Sequence, residues 1–211
     1  VYTMSQELTF KEISNHLIED ETPSLYIKKI LSDERYSFEL KDKLLKLETI
    51  DQNPKYHPEG NVLNHVLLVL DNAAQIKNFS KNSLSFMWAA LLHDIGKITT
   101  TKIRKGRITS YNHDVEGEQI AKKILDKLTD DEELKYTVSK LVRYHMQPLF
   151  FDKNLPFFSC EEMLKEIDYN EVALISMADR LGRGNISSEI REKELENLEK
   201  FKAYLKTREE K

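Results

Sequence analysis

Apolar residues recur at helical spacing along nearly the whole chain. Phe10, Ile13 and Leu17 form one stripe, and the segment from Val62 to Ile76 is apolar almost all round. The first pattern is typical of an amphipathic helix and the second of a central buried helix. Further stripes run through residues 22–31, 37–47, 84–94, 120–128, 138–142 and 172–181. These stripes predict an all-α fold, with Thr22-Pro23 and Ser83 expected to open two of the helices.

Glycine and proline stand at the junctions between these stripes, which predicts a single domain over residues 4–211. A weak boundary near Asp51–Pro54 separates an expected N-terminal helical cap (4–53) from a core (54–186). Residues 187–211 carry a stripe of Ile190, Leu195, Leu198, Phe201 and Leu205 among many charges. They are expected to form an amphipathic helix that packs on the body or on a second subunit. Residues 1–3 precede Met4, resemble an added leader and are left out of this interpretation.

Composition narrows the class of protein. The chain has 211 residues, of which 40% are hydrophobic and 32% are charged, a profile typical of globular domains. Cys160 is the single cysteine, so no disulfide framework is expected and a reducing, cytoplasmic location is favoured. No apolar run approaches the length of a membrane span. The net charge of −4 argues against a broadly basic surface, and no DNA partner is expected.

Histidines and aspartates occur on several of the apolar helix faces. They are His65, the adjacent pair His93-Asp94 at the end of an apolar run, then His113, His145 and Asp179. A single inward histidine is more often a hydrogen-bonded core residue than a ligand. The joint pattern instead indicates a metal site, since a buried carboxylate without a partner is costly. Six ligands exceed the needs of one closed site, and two ions bridged by Asp94 would use them all.

Several motifs together resemble one known family. They are Tyr56-His57-Pro58-Glu59-Gly60, Leu91 to Lys97 around His93-Asp94, His113-Asp114 with Gly117, Leu141 to Met146, and Ala178 to Gly182. They resemble the HD-domain metal-dependent phosphohydrolases, and within them the HD domain fused to bacterial CCA-adding tRNA nucleotidyltransferases. The resemblance covers about residues 54–186. The chain holds no segment for a nucleotidyltransferase head, so it looks like a stand-alone relative.

The resemblance implies an HD-type helical bundle, here with N-terminal and C-terminal helical extensions, and hydrolysis of phosphate esters. It implies one ion held by His65, His93, Asp94 and Asp179 and a second held by Asp94, His113 and His145. The ions would be divalent (Mn, Fe, Ni, Co or Mg) and would generate the attacking hydroxide near neutral pH. Asp94 would bridge them and orient the nucleophilic water, and Lys97 is the candidate phosphate contact beside it. The expected partner is a small phosphorylated substrate, in the first place a nucleotide. An RNA end is a further possibility, and no membrane partner is expected.

Other charged residues are candidates for substrate binding. Residues 95–113 contain no acid but five basic residues, and Ile103 and Ile108 flank a turn at Lys105-Gly106. We expect a short basic hairpin over the metal cleft, with Arg104 and Arg107 on phosphate; a solvated surface loop is the alternative. Arg180 and Arg183 are candidates for phosphate or for ion pairs with helix carboxylates. His57 and Glu59 are expected to support the metal ligands, His16 to have no function, and Asp114 to be a helix-start charge.

Two alternatives to a phosphomonoester or phosphodiester substrate stay open at this stage. The first is hydrolysis of a phosphoanhydride, in a dinucleoside polyphosphate or a nucleoside triphosphate, which needs the same ligands. The second is a catalytically idle HD module that senses a nucleotide. An intact set of ligands favours an enzyme over an idle module.

Overall fold

The computed structural model describes residues 5–210, so residues 1–4, including the expected leader and Met4, and Lys211 lie outside the described residues. Within residues 5–210 there are twelve α-helices, one 3₁₀ turn and one two-stranded hairpin. The first half holds α1 (Gln6–Glu19), α2 (Ser24–Ser32), α3 (Glu39–Glu48), α4 (Val62–Ile76), the 3₁₀ turn (Lys77–Phe79), α5 (Ser83–Leu92), α6 (Lys97–Thr100), β1 (Lys102–Arg104) and β2 (Arg107–Thr109). The second half holds α7 (His113–Asp126), α8 (Glu132–Tyr144), α9 (Gln147–Asp152), α10 (Cys160–Glu166), α11 (Tyr169–Leu181) and α12 (Ser188–Glu209).

The core of the bundle is built from α4, α5, α8 and α11, which pack on one another. Helix α5 is buried on every side, since all residues from Phe86 to Leu92 are fully enclosed. Helix α7 packs on α8, α12 on α11 and α9, and α3 on α4. The predicted all-α helical bundle is therefore confirmed, with a hairpin as the only sheet in residues 5–210.

The helices begin where short polar side chains can satisfy free backbone N–H groups. Asn61 accepts from the Asn64 N–H at the start of α4, and Asp131 accepts from Leu134 at the start of α8. Asn82, rather than the predicted Ser83, caps α5, because its side chain accepts from the Ser85 N–H. Pro23, rather than Thr22, precedes α2, which has no side-chain cap.

The two extensions meet the body through aromatic side chains. In α1, Phe10 stacks on Trp88 of α5 at 5.2 Å between ring centroids, and Ser14 accepts from the Trp88 indole N–H at 3.0 Å. In α12, Phe201 is fully buried against Phe151 and Phe158. The division into cap, core and tail remains a prediction.

Not every predicted apolar stripe is buried along its whole length. In α12, Leu198, Phe201 and Leu205 are enclosed, but Ile190 and Leu195 are exposed. Leu25 of α2 is also exposed, because the short helix turns Tyr26, Ile27 and Ile30 inward instead. The first turns of α12 therefore leave apolar side chains exposed to solvent.

A glycine sets the distance between the corner after α5 and the start of α7. A Cβ built on Gly96 would lie 1.9 Å from the His113 carbonyl oxygen and 2.6 Å from the Gly117 nitrogen. Gly117 faces the same contact, since its own Cβ would lie 3.4 Å from the Gly96 nitrogen. Only glycine permits this approach of two backbones. The contact places His113 beside the His93-Asp94 corner.

The predicted hairpin forms in the basic segment. Strands β1 and β2 pair antiparallel, with Ile103 opposite Ile108 and Arg104 opposite Arg107. Gly106 occupies the turn with φ of +74°. Among residues 5–210, no helix is both long and apolar enough to cross a membrane.

Candidate metal centre

The six predicted ligands come together in the middle of the bundle. His65 lies on α4, His93 and Asp94 directly follow α5, His113 begins α7, His145 follows α8 and Asp179 lies near the end of α11. All six are buried. They form two groups whose candidate ligand atoms lie within 4.8 Å of one another: His65 with His93 and Asp179, and Asp94 with His113 and His145.

Three of the imidazoles are held in the same way. The Nδ1 atoms of His93, His113 and His145 lie 2.7, 2.9 and 2.7 Å from backbone carbonyl oxygens three residues earlier, those of Ala90, Ser110 and Val142. A carbonyl oxygen only accepts, so each Nδ1 carries the proton and donates. In the neutral ring the Nε2 atom then presents a lone pair to the centre.

The fourth imidazole is held by a carboxylate. His65 Nδ1 lies 2.7 Å from Glu59 Oε1, and His57 Nδ1 lies 3.0 Å from the same oxygen. Burial raises the pKa of Glu59, but the hydrogen bonds to His57 and His65 outweigh it and lower that pKa to about 2. A carboxylate behind an imidazole fixes its orientation and raises its basicity as a ligand.

Three inner imidazole nitrogens of the cluster lack a suitable partner among the described residues. His93 Nε2 is buried with no hydrogen-bond partner among the described residues, and the Nε2 atoms of His113 and His145 face each other at 3.3 Å. Two acceptor nitrogens cannot hydrogen-bond to each other, and a buried polar atom without a partner is costly. A cation between these atoms would satisfy them, so the residues present fit divalent metal.

Asp94 lies between the two groups of ligands. Its Oδ2 is 3.5 Å from His93 Nε2 and 3.7 Å from His65 Nε2, while its Oδ1 is 3.3 Å from His113 Nε2 and 3.7 Å from His145 Nε2. One carboxylate oxygen thus faces each group. Burial raises the pKa of Asp94, but the positive charge of Lys97 and the neighbouring imidazoles hold it well below its ordinary value.

The ligands differ in how readily they carry a proton. Burial lowers the pKa of His93 to about 4, so this imidazole is neutral near pH 7. Burial also lowers the pKa of His65, but hydrogen bonds to Asp179 at 2.8 Å and to Glu59 outweigh it and raise that pKa to about 9. His65 is therefore protonated near pH 7 and shares that proton with Asp179, and a divalent cation held here would have to replace the proton.

Lys97 occupies the mouth of the cluster. Its Nζ donates to Asp94 Oδ2 and to the Gln52 side-chain oxygen, both at 2.9 Å. Gln52 was not predicted, because it lies in an irregular segment between α3 and α4 that has no periodic pattern. Asp114, expected to be a helix-start charge, lies in the first turn of α7 and pairs with Arg143 at 3.2 Å. His16 lies apart from the cluster, stacked on Tyr26 and paired with Asp20.

Two cavities open onto this cluster. The first, called here the aromatic cavity, has a volume of about 760 Å³ and is lined by Tyr56, Tyr111, Phe150, Phe157, Ile108 and Leu155 among others. The second, the charged cleft, has a volume of about 570 Å³ and includes Asp152, Lys153, Arg180, Arg183, Lys193 and Glu194. Both include His57, Lys97 and His113, so the cluster lies where the two cavities meet.

The structure separates the four predicted arginines. Arg180 is buried and paired with Asp152 and Glu194, so it holds α11 to α9 and α12. Arg183 lines the charged cleft. Arg104 and Arg107 are exposed on the hairpin and line neither cavity, although Arg104 lies over the Tyr111 ring, 4.9 Å from its centroid.

Comparison with known proteins agrees with this arrangement. The family model described as HD domain matches residues 62–184, more than half of the chain. The Multifunctional CCA protein of Alkalilimnicola ehrlichii is 30% identical over 141 residues, 67% of this chain and 32% of that protein. The Multifunctional CCA protein of Pseudomonas syringae pv. syringae is 34% identical over 110 residues, 52% of this chain and 26% of that protein.

The chain spans about a third or less of the length of these relatives, so the likeness concerns one portion of each. The matched residues 62–184 contain all six buried ligands. The bundle, the His93-Asp94 corner and the family match agree, and the chain belongs to the HD domain family.

Proposed function

We propose that the protein is a metal-dependent phosphohydrolase that cleaves a phosphate ester of a nucleotide. The observation that carries this proposal is the buried cluster of imidazole and carboxylate ligands, in which His93 Nε2 has no partner among the described residues, at the junction of two open cavities. In the reaction, the oxygen of one water forms a bond to phosphorus, the bond from phosphorus to the leaving oxygen breaks, and the leaving oxygen takes a proton.

The two facing sides of Asp94 support two metal positions. His65, His93, Asp94 and Asp179 would hold one ion, and Asp94, His113 and His145 the other. Imidazole nitrogen mixed with carboxylate oxygen suits Mn, Fe, Co or Ni, whereas Mg²⁺ would use the carboxylates and bound water. When bound, such ions lower the pKa of a coordinated water and offset charge on the phosphoryl oxygens.

The chain itself contributes charge and position. Lys97 lies where the two cavities meet, and its ammonium group is paired with the Asp94 carboxylate. We assign Lys97 to a phosphoryl oxygen, whose negative charge grows as the attacking oxygen bonds to phosphorus. Glu59 and His57 hold His65 in place from behind. The exposed basic hairpin, with Arg104 and Arg107, is proposed to attract the phosphate from solution rather than to hold it.

The proposal is tested by metal content and activity together. Asp94→Ala should lose most bound metal in elemental analysis, because Asp94 faces both groups of ligands. It should also lose hydrolysis of bis(p-nitrophenyl) phosphate in the presence of manganese. Asp130→Ala, a change at an exposed aspartate away from the cluster, is the matched control. Parent-like metal content in Asp94→Ala would overturn the two-ion arrangement, and a parent that hydrolyses no phosphate ester would overturn the activity.

A further inference from the structure

The two cavities beside the metal centre differ in their aromatic and charged side chains. Tyr111 and Phe157 line the aromatic cavity, and Tyr56 lines both cavities; they are 60%, 53% and 54% exposed, although aromatic side chains normally gain stability by burial. Phe150 completes the set, with its ring 5.5 Å from that of Phe157. Rings held open beside a reactive centre offer flat apolar faces on which a planar ligand can stack.

Three cations of the charged cleft have no acidic partner among residues 5–210. The four acids of the cleft are all engaged: Asp152 and Glu194 by Arg180, Asp94 by Lys97, and Asp179 by His65. Lys153, Arg183 and Lys193 also line the cleft, and among residues 5–210 none of them has an ion-pair partner.

Arg183 is the best placed of the three cations. Its Nε is enclosed and has no hydrogen-bond partner in the described part of the chain. The residue before it is fixed, because a Cβ on Gly182 would lie 2.7 Å from Val69 Cγ2, so the end of α11 is pressed against α4. A buried donor that lacks a protein partner, on a rigid support, is suited to an anion such as phosphate.

The two cavities meet at Lys97 and His113, and the charged cleft also includes Asp94 and Asp179. A substrate that ends at the cleaved phosphate would fill only one of them. A substrate that continues beyond the phosphate could fill both. The volumes, about 760 and 570 Å³, each lie within the range of small-molecule sites.

We propose that the aromatic cavity binds the base of a nucleotide and the charged cleft binds a second phosphate, so that the cleaved phosphate lies between them. This inference rests on the proposed function and names its substrate class: a nucleotide with the base on one side of the cleaved phosphate and a second phosphate on the other side. Nucleoside diphosphates and 5′-phosphorylated dinucleotides share this chemistry. In either substrate, hydrolysis consumes one water: its oxygen bonds to the cleaved phosphorus, the bond from that phosphorus to an ester oxygen of ribose breaks, and this oxygen takes a proton.

Pairs of ligands that differ in one group test each subsite separately. AMP and ribose 5-phosphate differ by the base, and ADP and AMP differ by one phosphate. Dissociation constants are measured by calorimetry on the protein with and without manganese, and inhibition constants against bis(p-nitrophenyl) phosphate. We expect AMP to bind about tenfold or more tighter than ribose 5-phosphate, as stacking of one base provides. We expect a similar gain from AMP to ADP.

Substitutions should remove one preference without the other. Phe157→Ala should bring the ratio between AMP and ribose 5-phosphate close to one and leave the gain from the second phosphate. Arg183→Gln should do the reverse, and Arg183→Lys should keep part of the gain. Phe79→Ala and Arg191→Gln change an exposed ring and an exposed guanidinium outside both cavities and should leave both ratios unchanged.

The outcomes distinguish this inference from the proposed function. Ratios near one in the parent, or equal effects of Phe157→Ala and Arg183→Gln on both ratios, would overturn the two subsites. Absence of any hydrolysis would overturn the proposed activity but leave the binding ratios to decide the subsites. The dinucleotide pApA compared with ApA shows the source: a gain with pApA alone indicates an oligonucleotide end, and a gain with ADP alone indicates a nucleoside polyphosphate. A gain with neither contradicts the charged subsite.

Discussion

Gly96→Ala should disturb the metal centre without changing any ligand. The added Cβ would lie 1.9 Å from the His113 carbonyl oxygen, whereas ordinary contact begins at 3.4 Å, so the two backbones must separate by about 1.5 Å. Backbone atoms cannot swing aside as a side chain can. The start of α7 therefore has to move away from the corner after α5, and His113 moves with it.

The size of this shift can be compared with what metal ligation tolerates. The distances from a metal ion to its ligand atoms vary by only about 0.2 Å in well-formed sites. A shift of more than an ångström would therefore leave His113 too far away to bind the same ion as Asp94 and His145. The overpacking should also cost about 3 kcal/mol or more of the free energy of unfolding. For a chain of this length, that cost corresponds to a fall in Tm of about 6–12 °C.

The assay combines elemental analysis, thermal unfolding followed by circular dichroism, and hydrolysis of bis(p-nitrophenyl) phosphate. Gly106→Ala is the matched control: it strains a residue with φ of +74°, but its Cβ meets nothing within 4 Å. That change should cost about 1 kcal/mol and leave the metal content unchanged. The reasoning is refuted if Gly96→Ala unfolds within about 2 °C of the parent and keeps the parent's metal content.

Two further predictions concern groups around the ligands. Glu59→Gln keeps the size of the side chain but removes the negative charge behind His65, and should weaken metal binding about 10- to 100-fold in competition with a chelator; unchanged affinity would show that Glu59 only fills space. The basic residues of the hairpin are Lys102, Arg104, Lys105 and Arg107, and changing all four to Ser should raise KM for bis(p-nitrophenyl) phosphate at low salt. Metal content and kcat should stay the same because no ligand is altered. The rise in KM should be smaller at high salt, because exposed charges are screened beyond about 8–10 Å. A KM equal to the parent's at both low and high salt would mark the hairpin as an ordinary surface loop.

The sequence predicted the bundle and the inward position of five ligands because both follow from helical periodicity. Those five lie on, or directly after, a helix face that is marked by apolar residues three or four positions away, as Leu141 and Val142 mark His145. His113 has no such neighbours, because polar residues and a glycine stand at those positions. The resemblance to the HD domain then ordered the ligands into two groups.

The surroundings of the site could not be predicted in the same way. Tyr56, Tyr111 and Phe157 lie in irregular segments, where no repeat shows which way a side chain points. Arg180 and Arg183 are neighbours in one motif, yet the partners of Arg180 lie 28 and 14 positions away. Such pairings depend on how α9 and α12 pack against α11, which local sequence does not determine.

The backbone carbonyl groups that accept from the imidazoles bear on whether the ligand rings are oriented before or after metal binds. The oxygens of Ala90 and Val142 belong to the last turns of α5 and α8, where backbone acceptors have no partner within the helix. His93 and His145 complete these helix ends, so folding of the bundle already orients the rings. A divalent ion held here would therefore enter a site whose rings are already oriented, and its identity would depend on which ions the folded protein meets.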